Sequence, residues 1–258
     1  MKCCICGTVR NCGKYLPKIF TIMEQIVTLF EDYVIILYYD NSSDNTLTQL
    51  QAYQIKNHKF ILYINEDKLL DYRTHRIALG RNKCLQIMRE QYNDYDNFIM
   101  MDCDDRCSYN INLPLLKSYL QRNDWDSLSF NHPAGYYDTW ALSKRPYVLS
   151  CHHFSNTALW KNLINKYIEK TPKNQLIKCL SAFNGFAIYR KDKFKNCYYD
   201  GQFRLDYIPN TLINENILSA GKINFKQNKE DCEHRFFHIT AVLKNNARIR
   251  IAPVCLFT

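Results

Sequence analysis

Apolar and polar positions follow two alternating periods along the first hundred residues. Lys2 to Thr8 is a short apolar run, and after it Leu16, Ile19, Phe20, Met23, Ile26, Val27 and Phe30 recur at three- and four-residue spacing. That change of period predicts a strand followed by an amphipathic helix. The exchange then repeats, with a β-rich run from Tyr33 to Tyr39 and a helix from about Asn45 to Tyr53, a strand over Lys59 to Ile64 and a helix from about Thr74 to Gln91. A fourth run, Phe98 to Met101, stops at Asp102-Cys103-Asp104-Asp105. Strands that alternate with helices are joined by crossovers, so neighbours run parallel and helices cover both faces. The pattern predicts an α/β, Rossmann-like fold with a mostly parallel central sheet flanked by helices. Ligands in such sheets bind at the carboxyl ends of the strands, where the polar clusters at Asp40 to Asp44 and Asp102 to Asp105 fall.

Beyond Asp105 the pattern is less regular. It predicts a helix over Leu113 to Leu120, a strand over Trp125 to Phe130, an aromatic loop from His132 to Tyr147 and a helix near Asn156 to Ile168. Leu180 to Tyr189 reads as strand and turn around Asn184-Gly185, Cys232 to Leu243 as a helix and Ala247 to Phe257 as a last strand. Lys193 to Gly221 carries no motif. With no internal repeat and no linker, residues 1–258 read as one continuous domain.

Composition narrows the class. A chain of 258 residues that is 47% hydrophobic and 23% charged, with 7 Gly and 7 Pro, buries a real core and is neither a disordered tail nor a collagen-like repeat. No apolar run approaches the roughly 18 to 20 residues of a membrane helix, and Met1 to Gly7 lacks the look of a signal peptide, so the expected compartment is the cytoplasm. With 34 Lys+Arg against 25 Asp+Glu, the formal charge of +9 favours polyanionic partners. The basic residues are scattered, however, with short clusters such as Arg190, Lys191, Lys193 and Lys195, so nucleic acid is a disfavoured partner. The 12 cysteines read as free thiols, and Cys3-x-x-Cys6 as small core residues of a buried strand, because no second pair stands at zinc-ribbon spacing.

The strongest chemical signal is Asp102, Asp104 and Asp105. Two carboxylates one residue apart at a strand end can both reach a hard divalent cation, which can in turn hold a diphosphate. The same residues also suit a solvated turn that caps the next helix through Asp105 or Ser108.

The order of motifs separates these readings. Thr8-Val9-Arg10-Asn11 follows the first strand, Asp40-Asn41-Ser42-Ser43-Asp44-Asn45-Thr46 the second, and Gly80-Arg81-Asn82 lies on the helix before the acidic strand. From Cys3 to Asp105 this succession resembles the family 2-like glycosyltransferases of the GT-A fold, with their V-x-N-E-like entry, D-[DN]-x-S-x-D-x-T loop, A-R-N segment and D-x-D. Phe183 to Arg190 resembles the family's small-residue turn beside the donor sugar. Cys232-Glu233-His234 stands where the family carries an acidic E-D pair, and Tyr136, Tyr137, Asp138 and Trp140 resemble the Y-Y-D-x-W-A segment of related sugar transferases. Ordinary core packing remains the other reading of that aromatic loop.

The resemblance implies a metal-dependent, inverting transfer of sugar from a nucleoside-diphosphate sugar, UDP-sugar favoured over GDP-sugar, to a hydroxyl of a glycan or protein acceptor. It divides the chain into a nucleotide-binding half, residues 1–105, and an acceptor and donor-sugar half, residues 106–258. It assigns the donor to Thr8, Arg10, Asp40, Asn41, Arg81, Asp102, Cys103, Asn184 and Gly185, and Mn²⁺ or Mg²⁺ to Asp102 and Asp104. Asn41 replaces a usual aspartate, and its amide can both donate to and accept from a base edge. Glu233 is the expected catalytic base. His234 takes the place of the family's second acid and is the alternative base, with Asp206, Asp231 and Glu215 in reserve. His234 and His238 stand four apart, so His238 is an expected further metal ligand, or the two are a surface pair. Arg10 and Arg81 are expected to face the diphosphate and so account for part of the +9. Two other classes stay open on sequence alone. One is a nucleotidyltransferase of similar fold, which would want a richer glycine loop than Gly7 and Gly13 supply, and the other is a basic nucleic-acid or interaction module.

Overall fold

A computed structural model of the protein describes residues 1–67, 69–150, 153, 157–220 and 229–258. The predicted alternation is realised as β1 (Lys2–Val9), α1 (Leu16–Val27), β2 (Asp32–Tyr39), α2 (Thr46–Lys56), β3 (Phe60–Ile64), α3 (Arg73–Gln91) and β4 (Asn97–Met101). The remaining elements are α4 (Leu113–Leu120), β5 (Ser127–Asn131), α5 (Thr157–Lys170), β6 (Ile177–Cys179), β7 (Phe186–Arg190), α6 (Asn210–Ala220), α7 (Glu233–Asn245) and β8 (Ile249–Cys255). Among the described residues the eight strands join one sheet in the order β3-β2-β1-β4-β7-β5-β8-β6. The β3-β2-β1-β4 block and the β5·β8 pair are parallel, whereas β7 runs antiparallel between β4 and β5, and β6 closes the edge antiparallel to β8. Among the described residues no helix is long and apolar enough to cross a membrane.

Helices on both faces explain why the central strands read as continuous apolar runs. Along β1, Cys3 and Ile5 face one core and Cys4 and Cys6 the other, all fully buried. The thiols of the C-x-x-C thus serve as small packing groups on both sides of the sheet. On α1 the apolar positions form one stripe, and Pro17 sits in the first turn, where a missing N–H costs nothing. Helix α3 lies unusually close to the sheet, because a β-carbon on Gly80 would stand 2.6 Å from Tyr38 Cδ1 and 2.7 Å from Thr8 Cγ2.

Several local expectations are corrected. The turn after β4 is capped by Asp104, whose Oδ1 accepts from Arg106 N at 3.0 Å, and α4 by Asn112, whose Oδ1 accepts from Leu115 N at 3.0 Å, so neither Asp105 nor Ser108 is the cap. Helix α6 arises in a stretch that carried no predicted element. Its polar residues obscure the period, and the fully buried one, Asn216, accepts from Val148 N at 2.6 Å and Leu149 N at 2.9 Å. Strand β6 is three residues long and too short for a periodic signal. Of the helix expected near Asn156, the described part is α5, and Asn156 lies outside the described residues.

The contact at Gly80 generates a stability prediction. In an exposed helix Gly→Ala gains up to about 1 kcal/mol, but forcing a methyl into a filled interface costs about 1–3 kcal/mol. Because the crowding atoms belong to the sheet beneath α3, Gly80→Ala is expected to destabilise. Urea denaturation showing an equal or higher midpoint would contradict the close approach.

Candidate functional site

The carboxyl ends of β1, β2 and β4 open onto a cavity of about 260 Å³, lined by Thr8, Arg10, Asp40, Asp102 and Asp104 together with Arg73, Arg76 and Ile77 of α3. A second cavity, of about 370 Å³, shares Arg73, Ile77, Asp102 and Asp104 with the first, and Arg81, Tyr137, Asp138, Trp140, Phe183, Glu233 and His234 complete much of its wall. The two chambers therefore meet at the D-x-D carboxylates.

Hydrogen bonds lace the loops of the first chamber. Asn11, at φ 52°, accepts from Ser43 N at 2.8 Å, Asp44 Oδ2 accepts from Gly13 N at 2.9 Å, and Arg10 Nε donates to the Asn41 carbonyl at 3.1 Å. Asp40 is buried and accepts from Asn41 N and Asn65 Nδ2, both at 3.2 Å. Thr8, Arg10 and Asp40 are on the wall, whereas Asn41 is exposed beside it and touches the chamber's frame through its backbone. Cys103 also lines the first chamber, and it packs in the core, where burial pushes its thiol well above the usual range.

Between the chambers Arg81 is buried, with Nη2 3.0 Å from Asp102 Oδ1, Nη1 2.9 Å from Glu233 Oε1, and its guanidinium 4.6 Å above the Phe183 ring. Burial works against the guanidinium's charge, but Glu233 and Asp102 outweigh it and raise its hold on the proton. Asp102 is pushed up to about 8, first by burial and then by Asp104, with Arg81 opposing. Burial likewise raises Asp104. Among the described residues Asp102 Oδ2 and Asp104 Oδ2 have no hydrogen-bond donor. Two crowded carboxyl groups thus share one wall, and near neutral pH burial and their mutual repulsion favour keeping a proton on Asp102.

The Asn184-Gly185 turn acts by holding other parts in place. Both residues are left-handed, at φ 65° and 84°, and Asn184 Oδ1 accepts from Tyr137 N at 3.0 Å and Asp138 N at 3.2 Å while its Nδ2 donates to Phe130 O at 2.9 Å. The Asn184 amide thus braces the aromatic loop, and the residue is not among those lining either chamber. Gly185 O accepts from Asp102 N at 2.8 Å, and a β-carbon there would stand 2.3 Å from the Tyr137 hydroxyl.

Glu233 and His234 open α7 and both face the second chamber. The His234 ring stacks on Phe183 at 3.8 Å with Nε2 3.7 Å from Glu233 Oε1, and among the described residues neither ring nitrogen has a hydrogen-bond partner. Burial, then Arg81, holds it well below the usual histidine range and therefore neutral. His238 is not a surface residue. It is fully buried, with Nδ1 3.1 Å from Ser181 Oγ and Nε2 3.1 Å from Tyr189 OH, and it lines neither chamber. The reserve acids pair elsewhere, Asp206 with Arg204, Asp231 with Arg235 and Glu215 with Arg145.

Sequence reasoning missed Arg73 and Arg76. The available signal was their charge at the start of α3, where the helix dipole disfavours cations unless an anion is bound nearby. The sequence marks Asp138 only as part of the aromatic segment, yet burial raises its carboxyl on the chamber wall.

The sequence model described as Glycosyl transferase family 2 matches residues 4–197. No curated protein matches the chain. Among solved structures, residues 1–349 of TarS from S. aureus superpose with a TM-score of 0.52 at 15% identity, covering 100% of this chain and 59% of that one. The same fragment in complex with UDP gives 0.51 at 16% identity with the same coverage, and the longer S. aureus TarS gives 0.50 at 16% identity, covering 97% of this chain and 35% of that one. The chain thus spans about 59% or less of these neighbours, which share its fold.

His238 generates a pH prediction. Burial lowers it to about 3, against 6.5 for the unfolded chain, so the folded protein keeps it neutral and unfolding takes up a proton below pH 6.5. Its share of stability is complete above the unfolded value and is lost as pH falls toward about 3, at about 1.4 kcal/mol per pH unit. His234 acts in the same direction. Urea denaturation between neutral and mildly acidic pH is expected to show the loss of stability reduced by about one proton in His238→Gln, and parallel slopes would refute it.

Proposed function

The chain belongs to glycosyl transferase family 2, and from that premise we propose that it moves a sugar from a nucleoside-diphosphate sugar to an acceptor hydroxyl with inversion at the anomeric carbon, assisted by a divalent metal ion. The observation that carries this reading is the pair of chambers joined at Asp102 and Asp104. The first suits the nucleoside, held by Thr8, Arg10 and Asp40, with Arg73 and Arg76 on its wall to balance phosphate charge. The second, walled by aromatic rings and carboxylates, suits the sugar and the acceptor hydroxyl. UDP is the donor nucleotide to try first, because a fold neighbour was crystallised with UDP, and GDP the next.

The residues present fit a hard cation. Asp102 and Asp104 both line the two chambers, and among the described residues Asp102 Oδ2 and Asp104 Oδ2 accept no hydrogen bond, a pair of oxygens that suits Mn²⁺ or Mg²⁺. Among the described residues no third His, Cys, Asp or Glu joins them, so the remaining ligands would be donor phosphate and water. When bound, such an ion offsets charge on the departing nucleoside diphosphate. Arg81 fixes Asp102 from behind and Glu233 from the side, so that both carboxylates hold their orientation as the donor enters. Phe183 and Trp140 exclude water from the sugar.

Glu233 is the proposed base, taking the acceptor proton as the oxygen attacks, with Arg81 and neutral His234 beside its carboxylate. One observation favours a second reading: the Asp138 carboxyl, raised by burial, faces the same chamber and makes no ion pair among the described residues.

Isothermal titration with UDP and GDP is expected to show binding that requires Mn²⁺ or Mg²⁺ and is lost in Asp104→Asn. Equal binding with and without metal would remove the ion from the reading, and no binding of either nucleotide would remove the donor. Glu233→Gln is expected to lower turnover about 100-fold with donor affinity nearly unchanged. A wild-type rate in that variant, together with an inactive Asp138→Asn, would transfer the role of base to Asp138.

A further inference from the structure

Helix α5 turns only one row of side chains into the core, Trp160, Ile164 and Ile168. The neighbouring row has the same four-residue spacing and is also apolar, yet Leu159, Leu163 and Tyr167 are 55%, 48% and 47% exposed. One further step around the helix comes a polar and basic row, Asn162, Lys166 and Lys170, all exposed. Lys144, from the adjoining loop, brings Nζ to 4.6 Å over the Tyr167 ring, and exposed Lys173 follows the helix. Glu169 is the one acid on α5.

This ordering around one helix, with core row, exposed apolar row and lysine row side by side, is the arrangement of a helix that lies in a membrane interface. The apolar row would enter the acyl boundary while the lysine ammonium groups stay at the level of the headgroups. The lysines decide the occupant, because a cationic rim on an apolar stripe complements an anionic lipid surface, whereas a polyanion such as nucleic acid offers nothing to Leu159 and Leu163. We propose that α5 docks the protein on membrane surfaces rich in anionic lipid.

The position of the helix gives the docking a purpose. On its other side, Asn165 Oδ1 accepts from Tyr136 N at 2.7 Å, immediately before the Tyr137 and Asp138 that wall the second chamber. A membrane seated on α5 therefore lies one helix away from the loop that shapes the chamber. The docking itself is independent of any sugar transfer and is tested without it.

The test is flotation of the full chain with vesicles of phosphatidylcholine alone and with a two-to-one mixture of phosphatidylcholine and phosphatidylglycerol. Binding is expected to the mixture, to weaken with added salt, and to fall about tenfold or more both in Leu163→Glu/Tyr167→Glu and in Lys166→Glu/Lys170→Glu. All four positions are on the surface, and circular dichroism with a thermal midpoint verifies that each variant is folded. Failure of the unaltered chain to float with the mixed vesicles overturns the proposal directly. Binding that survives both pairs of substitutions places the contact elsewhere and overturns it as well. Binding lost with the lysines but kept by Leu163→Glu/Tyr167→Glu shows a polyanion site and not a lipid-docking helix.

Discussion

One buried cation organises the centre of the molecule. Arg81 reaches Asp102 with one nitrogen and Glu233 with another, and so joins α3 to the end of β4 and to the start of α7. A guanidinium withdrawn from water is costly unless both geometry and charge compensate, and here two carboxylates and the face of Phe183 do so. Removing Arg81 would leave Asp102 and Glu233 facing each other across a desolvated gap next to Asp104. The ion triad therefore depends on Gly80, whose missing side chain lets α3 approach the sheet closely enough for the next residue to reach both acids.

A second constraint fixes the other wall. The left-handed Asn184-Gly185 turn grips the backbone of Tyr137 and Asp138 on one side and that of Asp102 on the other. A committed amide and a glycine carbonyl thus set the distance between the acidic strand end and the aromatic loop. The two chambers keep their shapes because these parts are bound to one another through the backbone, and α5 supports the same loop from behind through Asn165.

The net charge of +9 divides into unlike parts. Arg81 is balanced within the protein and contributes little outward field. Arg73 and Arg76 line the first chamber at the start of α3, where a helix start ordinarily favours anions, and Arg76 also faces Asp40 at 3.8 Å. The lysines of α5 lie on an outer face and have no acid neighbour on their helix apart from Glu169. A single composition figure thus covers a buried structural cation, a pair that lines a chamber and a surface rim.

Much was legible in the sequence. The strands and helices up to Met101 follow directly from apolar period, because each element must bury one face or both, and the acidic run after β4 lies at a strand end for the same reason. The order of the motifs carried the family resemblance, and Thr8, Arg10, Asp40, Asp102, Asp104, Glu233 and His234 do meet around the chambers. Other features depended on neighbours that are distant in sequence. His238 has the spacing of a ligand, but its environment comes from Ser181 and Tyr189, which tie it into the core. Asn184 has the chemistry to bind a sugar, yet its amide is spent on Tyr137, Asp138 and Phe130. The antiparallel β7 leaves no mark on period, because a strand buried on both faces reads the same in either direction. Local pattern determined which residues are buried and where strands end. Only the tertiary structure decided which polar groups are satisfied internally and which remain open to a ligand, since that depends on what arrives from the rest of the chain.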